Sequence, residues 1–345
     1  MKVGYGLISC QAHADDGRSE AERYRDAVEL AVEAETLGYD SVWVSEHHFI
    51  DDGYLPSALP MCAAIAARTN RIEIGTAVAL APLYEPLRLA EDSATVDLVS
   101  NGRFILGLGQ GWRPEEFEAL HVPLNRRHRL LEDTVTVLRQ AWSGGVVTGG
   151  DVLSYPGVSV RPKPARSGGI PIWIGATAKP AVRRAGKIAD GFISSGSFDE
   201  AFTPEYFRRQ MSWIRNGLED ASRPSGSFTA SMFLPTFVSK QKNAWEQLVD
   251  HLHYTYWKYA DMAHARGRAG PPDKAPPLSP ERVASLRANA LAGRPDEVAA
   301  QLRQYQEVAG VEFHYIARLY WPGMNPDLQR QAMQIFAAEV IPQLR

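Results

Sequence analysis

The stretch RIEIGTAVALAPLYEPLRLAEDSATVDLVSNGRFILGLG, residues 71–109, contains the repeat that predicts the fold. Its β-branched and apolar run predicts a strand at 71–79, the segment 86–98 predicts a helix, and a second apolar run predicts a strand at 102–109. Two such strands joined by one helix form a β–α–β unit, in which the strands are parallel and the crossover is right-handed.

The same alternation extends outward from this unit in both directions. On the N-terminal side the sequence predicts a strand at 3–8, a helix opened by a capping box from Ser19 to Glu22 and closed by Gly38, a strand at 41–46 and a small-residue helix at 57–68. On the C-terminal side it predicts a helix at 126–142, a glycine-rich surface hairpin at 143–160, strands at 171–175, 191–195, 229–238 and 311–319, and a last helix at 326–340. A closed parallel barrel naturally takes eight strands, so this α/β pattern predicts a (β/α)8 TIM barrel rather than an open doubly wound sheet.

The length of 345 residues does not decide the number of domains by itself. Single barrels use about 250 residues and sometimes more than 400, so we assign residues 1–345 to one barrel domain. Residues 239–295 interrupt the repeat with a long amphipathic segment at 243–266 and a proline-rich run at 267–280. Because proline cannot continue a helix or a strand ladder, we expect an insertion outside the barrel after the seventh strand. It either forms a lid over the site or decorates the surface.

The charge balance excludes several classes of partner. Lysine and arginine number 37 against 40 aspartate and glutamate, so the net charge of −3 provides no field that attracts nucleic acid or an acidic membrane surface. No apolar run reaches the roughly 18 residues of a membrane span, the two cysteines form no CxxC pair, and the first residues lack a signal-peptide pattern. We therefore expect a cytoplasmic protein with a small organic substrate and no nucleic-acid or membrane partner.

The carboxyl ends of the predicted strands are the first place to look for chemistry, because barrel active sites lie there. Strand two ends in Ser45-Glu-His-His-Phe49. Adjacent residues of an extended segment point to opposite faces, so one histidine faces the cavity as an acid–base group and the other anchors backbone; a purely structural histidine is the alternative. We expect no metal site, since strand one lacks an HxH motif and His251 and His253 diverge around a helix.

Two later strand ends carry weaker signals. Strand four ends in Gly107-Leu-Gly-Gln-Gly111, which is not a GxGxxG fingerprint but permits either the close approach of a flat ligand or tight packing. Strand five ends at Thr177, directly before a helix. A threonine cap with free amides and Lys179 nearby forms a phosphate cradle, although most threonine caps hold no ligand.

Taken together and in order, these strand ends resemble the bacterial luciferase-like flavin-dependent monooxygenase family. The matching segments are GYDSVWVSEHHF (38–49), RIEIGTAVAL (71–80), EPLRLAEDSATVDLVSNGRFILGLGQGW (85–112), PIWIGAT (171–177), KIADGF (187–192) and YWPGM (320–324). The resemblance covers nearly the whole chain and is thin from about 239 to 290.

The resemblance implies a barrel that binds reduced FMN or, in a sister branch, a deazaflavin coenzyme at the carboxyl-terminal mouth. It identifies His47 as the catalytic cavity histidine and places a non-proline cis peptide at Ala77–Val78. The implied flavin phosphate site comprises Gly175, Ala176 and Thr177, with Ser195 and Gly196 beside it. Luciferases have an arginine at the position of Gln110; Arg113 and Lys179 are the candidates to replace its charge.

The leading hypothesis from this resemblance is a two-component monooxygenase, in which a partner flavin reductase supplies reduced FMN and dioxygen oxygenates a small organic substrate. The alternative is a deazaflavin-dependent hydride-transfer oxidoreductase, and a third possibility is a non-catalytic flavin-binding protein. The helix at 57–68 is apolar on nearly all sides and needs a second surface to cover it, so we also predict a homodimer.

Overall fold

Eight parallel strands close into a barrel in the computed structural model, which describes residues 1–14, 16–196, 200–261 and 274–345. The barrel strands are β1 (Lys2–Ile8), β2 (Ser41–Val44), β3 (Glu73–Thr76), β4 (Phe104–Gly109), β5 (Ile172–Ala176), β6 (Gly191–Ser194), β7 (Thr229–Val238) and β8 (Glu312–Arg318). Each strand pairs with the next along the chain, and β8 pairs with β1 to close the ring. The predicted (β/α)8 barrel is confirmed.

Helices lie between the barrel strands, as the sequence predicts, and the short helices at 114–119 and 280–287 are additional. The helices are α1 (Glu20–Leu37), α2 (Ala58–Arg68), α3 (Pro86–Ser100), α4 (Pro114–Ala119), α5 (Arg127–Ser143), α6 (Lys179–Ile188), α7 (Pro204–Asp220), α8 (Ala244–Asp261), α9 (Pro280–Arg287), α10 (Pro295–Ala309), α11 (Pro326–Ile335) and α12 (Ile341–Leu344). The capping box that opens α1 is present, since the Glu22 amide donates to Ser19 Oγ and Glu22 accepts from the Ser19 amide. Gly38 closes that helix in the left-handed conformation, at φ 87°.

Two stacked indoles fill the interior of the barrel. Trp43 of β2 and Trp173 of β5 lie with their ring centroids 5.1 Å apart and their planes 28° apart. Glycines on neighbouring strands make the room: a Cβ on Gly75 would overlap the Trp43 ring, and one on Gly191 would lie 2.6 Å from the Trp173 ring. Side chains from several strands therefore fill this space as a packed core.

The structure divides one predicted strand in two and contains the predicted surface hairpin. The single strand predicted at 71–79 is divided into β3 and a short strand at Ala79–Leu80, which pairs with the end of β4. The Ala77 amide still donates to the Val44 carbonyl of β2, and the break between the two strands lies at Ala77 and Val78. The predicted surface hairpin is confirmed, with antiparallel strands at Val147–Gly149 and Ser154–Val158.

The insertion after the seventh barrel strand is confirmed. Its described part contains α8, α9 and a short strand at Leu291–Gly293 that extends the sheet beside the end of β7. Apolar side chains of α8 and α9 pack with Phe237 and Trp321 in a small core separate from the barrel interior. The proline-rich run predicted at 267–280 lies outside the described residues up to position 273.

The helix on which the dimer prediction rests is α2. Most of its apolar side chains pack inside the chain, and the exposed ones, Pro60, Ala64 and Ala67, are small. The neighbouring helix α3 exposes Leu98 and Val99 to 44% and 50%. The homodimer stays a prediction. Among the described residues, no helix is both long and apolar enough to cross a membrane.

Candidate active site

A buried histidine–carboxylate pair lies at the carboxyl-terminal mouth of the barrel. His47 follows β2 and is 7% exposed. Its Nδ1 lies 3.0 Å from Oε1 of Glu116, whose side chain is fully buried. Because Nδ1 donates to the carboxylate, the neutral imidazole keeps its lone pair on Nε2, where it can accept a proton.

Glu116 is a residue that sequence reasoning missed. It lies in the first turn of α4, 69 positions from His47, and the same Oε1 atom accepts a 2.9 Å hydrogen bond from the His48 amide. Burial by itself raises the pKa of Glu116, but the hydrogen bond and charge of His47 and the His48 amide outweigh it, so the pKa lies below its usual value. Glu116 is therefore ionised beside the imidazole. The one signal in the sequence is Pro114 followed by two glutamates, which is typical of the first turn of a helix and lies just after the end of β4.

The second histidine is held elsewhere. His48 Nε2 lies 3.4 Å from Glu46 Oε1, and Glu46 also accepts from the Leu80 amide and the Tyr84 hydroxyl. The two adjacent rings thus lie beside different carboxylates. The His48 ring pairs with a carboxylate rather than with backbone, whereas Glu46 joins the end of β2 to the chain after β3.

Aromatic rings form a wall around His47. The ring centroids of Tyr54, Trp112 and Tyr259 lie 4.9, 6.0 and 5.8 Å from the imidazole, each at a steep angle. Tyr54 donates to Ser45 Oγ, and its hydroxyl lies 2.9 Å from that of Tyr259. Burial raises the pKa of Tyr54 well above its usual value, so it stays a neutral phenol. Trp112 is 44% exposed, and the wall therefore reaches solvent.

The floor of the mouth is apolar. The Ala77–Val78 peptide is cis, as the resemblance implies. Val78 lies over glycines at the ends of two strands: a Cβ on Gly109 would overlap it, and one on Gly175 would lie 2.8 Å from its Cγ1. Together with buried Ile193, these residues form a surface that fits the planar ring of a flavin or deazaflavin.

The predicted phosphate residues lie at two neighbouring strand ends. Gly175 and Ala176 end β5 and Thr177 follows it, while Ser195 and Gly196 follow β6, and the two strands pair through Ala176 and Ser194. The expectation that Thr177 caps the helix is wrong. The N-cap of α6 is Ala178, whose carbonyl accepts from the Ala181 and Val182 amides, and it has no side-chain cap.

The missing positive charge at Gln110 is not supplied by Arg113. Gln110 is half-buried after β4, and Arg113 is 1% exposed. Its guanidinium donates to the His48 carbonyl at 2.7 Å and pairs with Glu115 at 3.4 Å. It therefore holds the loop around His47 in place. Lys179 is exposed at the start of α6, beside the predicted phosphate residues.

The HxH pair of the insertion binds backbone. His251 Nδ1 lies 3.1 Å from the Pro322 carbonyl, and His253 Nε2 lies 2.7 Å from that of Pro276. Within the ranges that the structure describes, no three histidine, cysteine or acidic side chains are grouped as a metal site would require. The two rings thus hold α8 against neighbouring segments.

Comparison with known proteins places the chain in a family. The family described as luciferase-like monooxygenase matches residues 1–312. An F420-dependent glucose-6-phosphate dehydrogenase of Amycolatopsis mediterranei is 30% identical, with 100% of this chain and 99% of the relative covered. The oxygenase component of a flavin-dependent trigonelline monooxygenase of Acinetobacter baylyi is 21% identical, with 98% and 94% covered.

Among solved structures, the monooxygenase RslO1 from Streptomyces bottropensis superposes with a TM-score of 0.85 at 22% identity, with both chains covered entirely. That likeness agrees with the barrel described above. The match over residues 1–312 and the relative of equal length together show that this chain belongs to the luciferase-like monooxygenase family, whose relatives use a flavin or a deazaflavin cofactor.

Proposed function

We propose that this chain is a dehydrogenase that oxidises an alcohol with a deazaflavin coenzyme of the F420 type as electron acceptor. The observation that carries the proposal is the buried contact of 3.0 Å between His47 Nδ1 and Glu116 Oε1. The full-length similarity to an F420-dependent dehydrogenase supports the choice of coenzyme. When bound, the coenzyme supplies a two-electron acceptor.

The histidine–carboxylate pair supplies the proton chemistry that alcohol oxidation needs. As the carbon is oxidised to a carbonyl, its hydroxyl loses a proton, and His47 Nε2 accepts it. The ring then carries a positive charge directly beside the Glu116 carboxylate, which stabilises it. The contact of Glu116 with the His48 amide fixes the carboxylate, so the ring is oriented before substrate arrives.

The cofactor contacts in this proposal are the residues that follow four adjacent strands. The planar ring packs on Ala77 and Val78 beside Gln110, and the phosphate lies against the chain after β5 and β6. That second group comprises Gly175, Ala176, Thr177, Ser195 and Gly196. The apolar floor and the glycines at the strand ends support this arrangement.

We further propose that residues 239–295 act as a lid. In the described part of this segment, α8 lies over the mouth: the buried Lys258 pairs with Asp51, Tyr259 contacts Tyr54, and the Tyr254 hydroxyl donates to the Ala12 carbonyl. These contacts join the helix to the loops after β1 and β2. A closed lid excludes water from the reacting groups.

The second candidate is a monooxygenase that receives reduced FMN from a partner reductase. The trigonelline monooxygenase relative, which matches 98% of this chain, supports it, and so does the covered mouth. The two candidates differ in their electron source. A dehydrogenase takes electrons from its substrate and needs no reductase, whereas a monooxygenase needs a separate reductant.

An anaerobic titration separates the candidates. Purified protein is titrated with the oxidised deazaflavin coenzyme and, separately, with reduced FMN, and binding is followed by absorbance and fluorescence. The proposal expects tighter binding of the deazaflavin and its reduction when an alcohol substrate is added. Tight binding of reduced FMN alone, followed by product formation when oxygen is admitted, contradicts it and supports the monooxygenase.

The His47→Ala variant serves as the matched control for the same titration. It should bind the coenzyme with nearly unchanged affinity while turnover falls, because His47 acts on the substrate proton rather than on the coenzyme. Unchanged turnover would remove His47 from the mechanism. Binding without turnover in the wild-type chain, under every donor tried, would instead indicate a non-catalytic flavin-binding protein.

A further inference from the structure

The last residue of β8, Arg318, lies on the inner face of the barrel mouth. Side chains two positions apart on a strand point to the same side. On β8, His314 contacts the interior rings of Trp43 and Trp173, and Ile316 belongs to the same interior cluster. Arg318 continues this line by one step towards the carboxyl-terminal mouth and is 4% exposed.

The guanidinium of Arg318 has no anionic or hydrogen-bonding partner in the described part of the chain. Its Nε is buried without an acceptor, and its contacts are with the rings of Tyr259 at 5.8 Å and Trp321 at 5.4 Å. A buried cation without an acceptor is costly. The favourable attraction to two aromatic faces offsets only part of that cost.

Other buried cations of this chain are paired. Lys258 forms its ion pair with Asp51, Arg113 pairs with Glu115, and Arg23 donates to the Cys10 and Arg18 carbonyls. The fold thus provides an acceptor for each of these buried cationic side chains, which have a structural role. Among the buried cations of the residues that the structure describes, Arg318 is the exception, and it lies at the barrel mouth.

We propose that Arg318 binds an oxyanion carried by the substrate, that is, a carboxylate, phosphate or sulfonate group. The planar guanidinium offers several donors that match such a group, and its Nε is the donor left without a partner. This inference rests on the proposed function, since it names the substrate class of the same site.

The position of Tyr259 assigns the anion to the substrate rather than to the cofactor phosphate. Its ring lies 5.8 Å from the His47 ring and 5.8 Å from the Arg318 guanidinium carbon. The anion site therefore adjoins the proton acceptor. Residues after β5 and β6 provide a separate place for the cofactor phosphate. Because Tyr259 belongs to α8, an anion on Arg318 lies beneath the lid when it is closed.

The test follows the Arg318 Nε–H signal by NMR on protein labelled with ¹⁵N-arginine, assigned by its absence in Arg318→Lys. Sodium phosphate and sodium acetate are titrated separately at constant ionic strength, with and without the deazaflavin coenzyme. We expect a saturable shift of this signal with at least one of the two anions. In Arg318→Gln, which lacks this signal and is therefore compared with wild type by calorimetric titration of the same anions, we expect anion binding about 10- to 100-fold weaker, the loss of a hydrogen bond to a charged group.

Arg129→Gln, which removes an exposed arginine from α5, is the matched control and should bind like wild type. No shift with either anion overturns the proposal, and so does a shift caused by the coenzyme alone, which would assign Arg318 to the cofactor. If Arg318→Gln does not fold, the wild-type titration still decides. Coenzyme binding is measured in a separate titration. A failure of the proposed dehydrogenase function can therefore be distinguished from a failure of the proposed anion site at Arg318.

Discussion

Replacing Glu116 by glutamine removes the negative charge beside His47 and keeps an oxygen acceptor in the same place. Glutamine is nearly isosteric with glutamate, so its carbonyl oxygen can still accept from His47 Nδ1 and from the His48 amide, now 3.0 and 2.9 Å away. The orientation and tautomer of the imidazole should survive. The change isolates the electrostatic contribution of the carboxylate.

The size of the effect follows from the separation of the two groups. Opposite unit charges about 4 Å apart attract by about 4 kcal/mol at an effective dielectric constant near 20. If the proton is about half transferred in the transition state, roughly 2 kcal/mol is lost, which corresponds to a fall in kcat/KM of about 30-fold. The full burial of Glu116 excludes water that would screen the charge.

The assay is the stopped-flow reduction of the deazaflavin coenzyme by an alcohol substrate, with the dissociation constant of the coenzyme measured on the same variant. We expect the rate to fall while coenzyme affinity changes little. Glu219→Gln, an exposed change on α7, is the matched control. Wild-type kcat/KM in Glu116→Gln would refute the electrostatic role, and an equal loss of coenzyme affinity would refute the assignment of Glu116 to the proton step.

Four further results are expected. Gly75→Ala should lower the free energy of unfolding by about 1–3 kcal/mol, because the new methyl group overpacks the Trp43 ring; an unchanged urea midpoint would contradict this. Lys258→Met should destabilise by about 3–5 kcal/mol because it removes the cation that pairs with the buried Asp51 carboxylate, and the Lys258→Met, Asp51→Leu double variant should recover part of the loss in the same urea assay. Burial lowers the pKa of His314 to about 3, so below about pH 6.5 the unfolded chain binds a proton that the folded chain does not. Stability should therefore fall as the pH drops towards 3, by up to about 1.4 kcal/mol per pH unit, and His314→Gln should flatten this slope between pH 7 and 5. Light scattering should give twice the chain mass, and a monomer mass would remove the predicted homodimer.

The parts of the fold that were predictable depend on local patterns. The spacing of apolar runs gave the strands and helices, and the Ser19 capping box fixed the start of α1. The position of His47 at a strand end was also readable, since the barrel places every such end at one mouth. These inferences need only a few neighbouring residues.

The parts that were not predictable depend on residues far apart in the sequence. Glu116 reaches His47 across 69 positions, and Lys258 of the insertion reaches Asp51 across 207 positions. No local pattern marks either pair, because the contact is created by the closed barrel. The helix cap was missed by one residue for a local reason: α6 begins at Lys179, so Ala178 rather than Thr177 takes the N-cap position.

The two indoles in the barrel interior have a consequence for sequence divergence within the family. Trp43 occupies space that a Cβ at Gly4 or Gly75 would take, and Trp173 does the same at Gly191. These positions cannot vary independently, because a larger residue at one requires a smaller residue at its partner. Aligned relatives that carry a side chain larger than glycine at position 75 should therefore lack tryptophan at position 43, so that the two columns co-vary even though they belong to different strands.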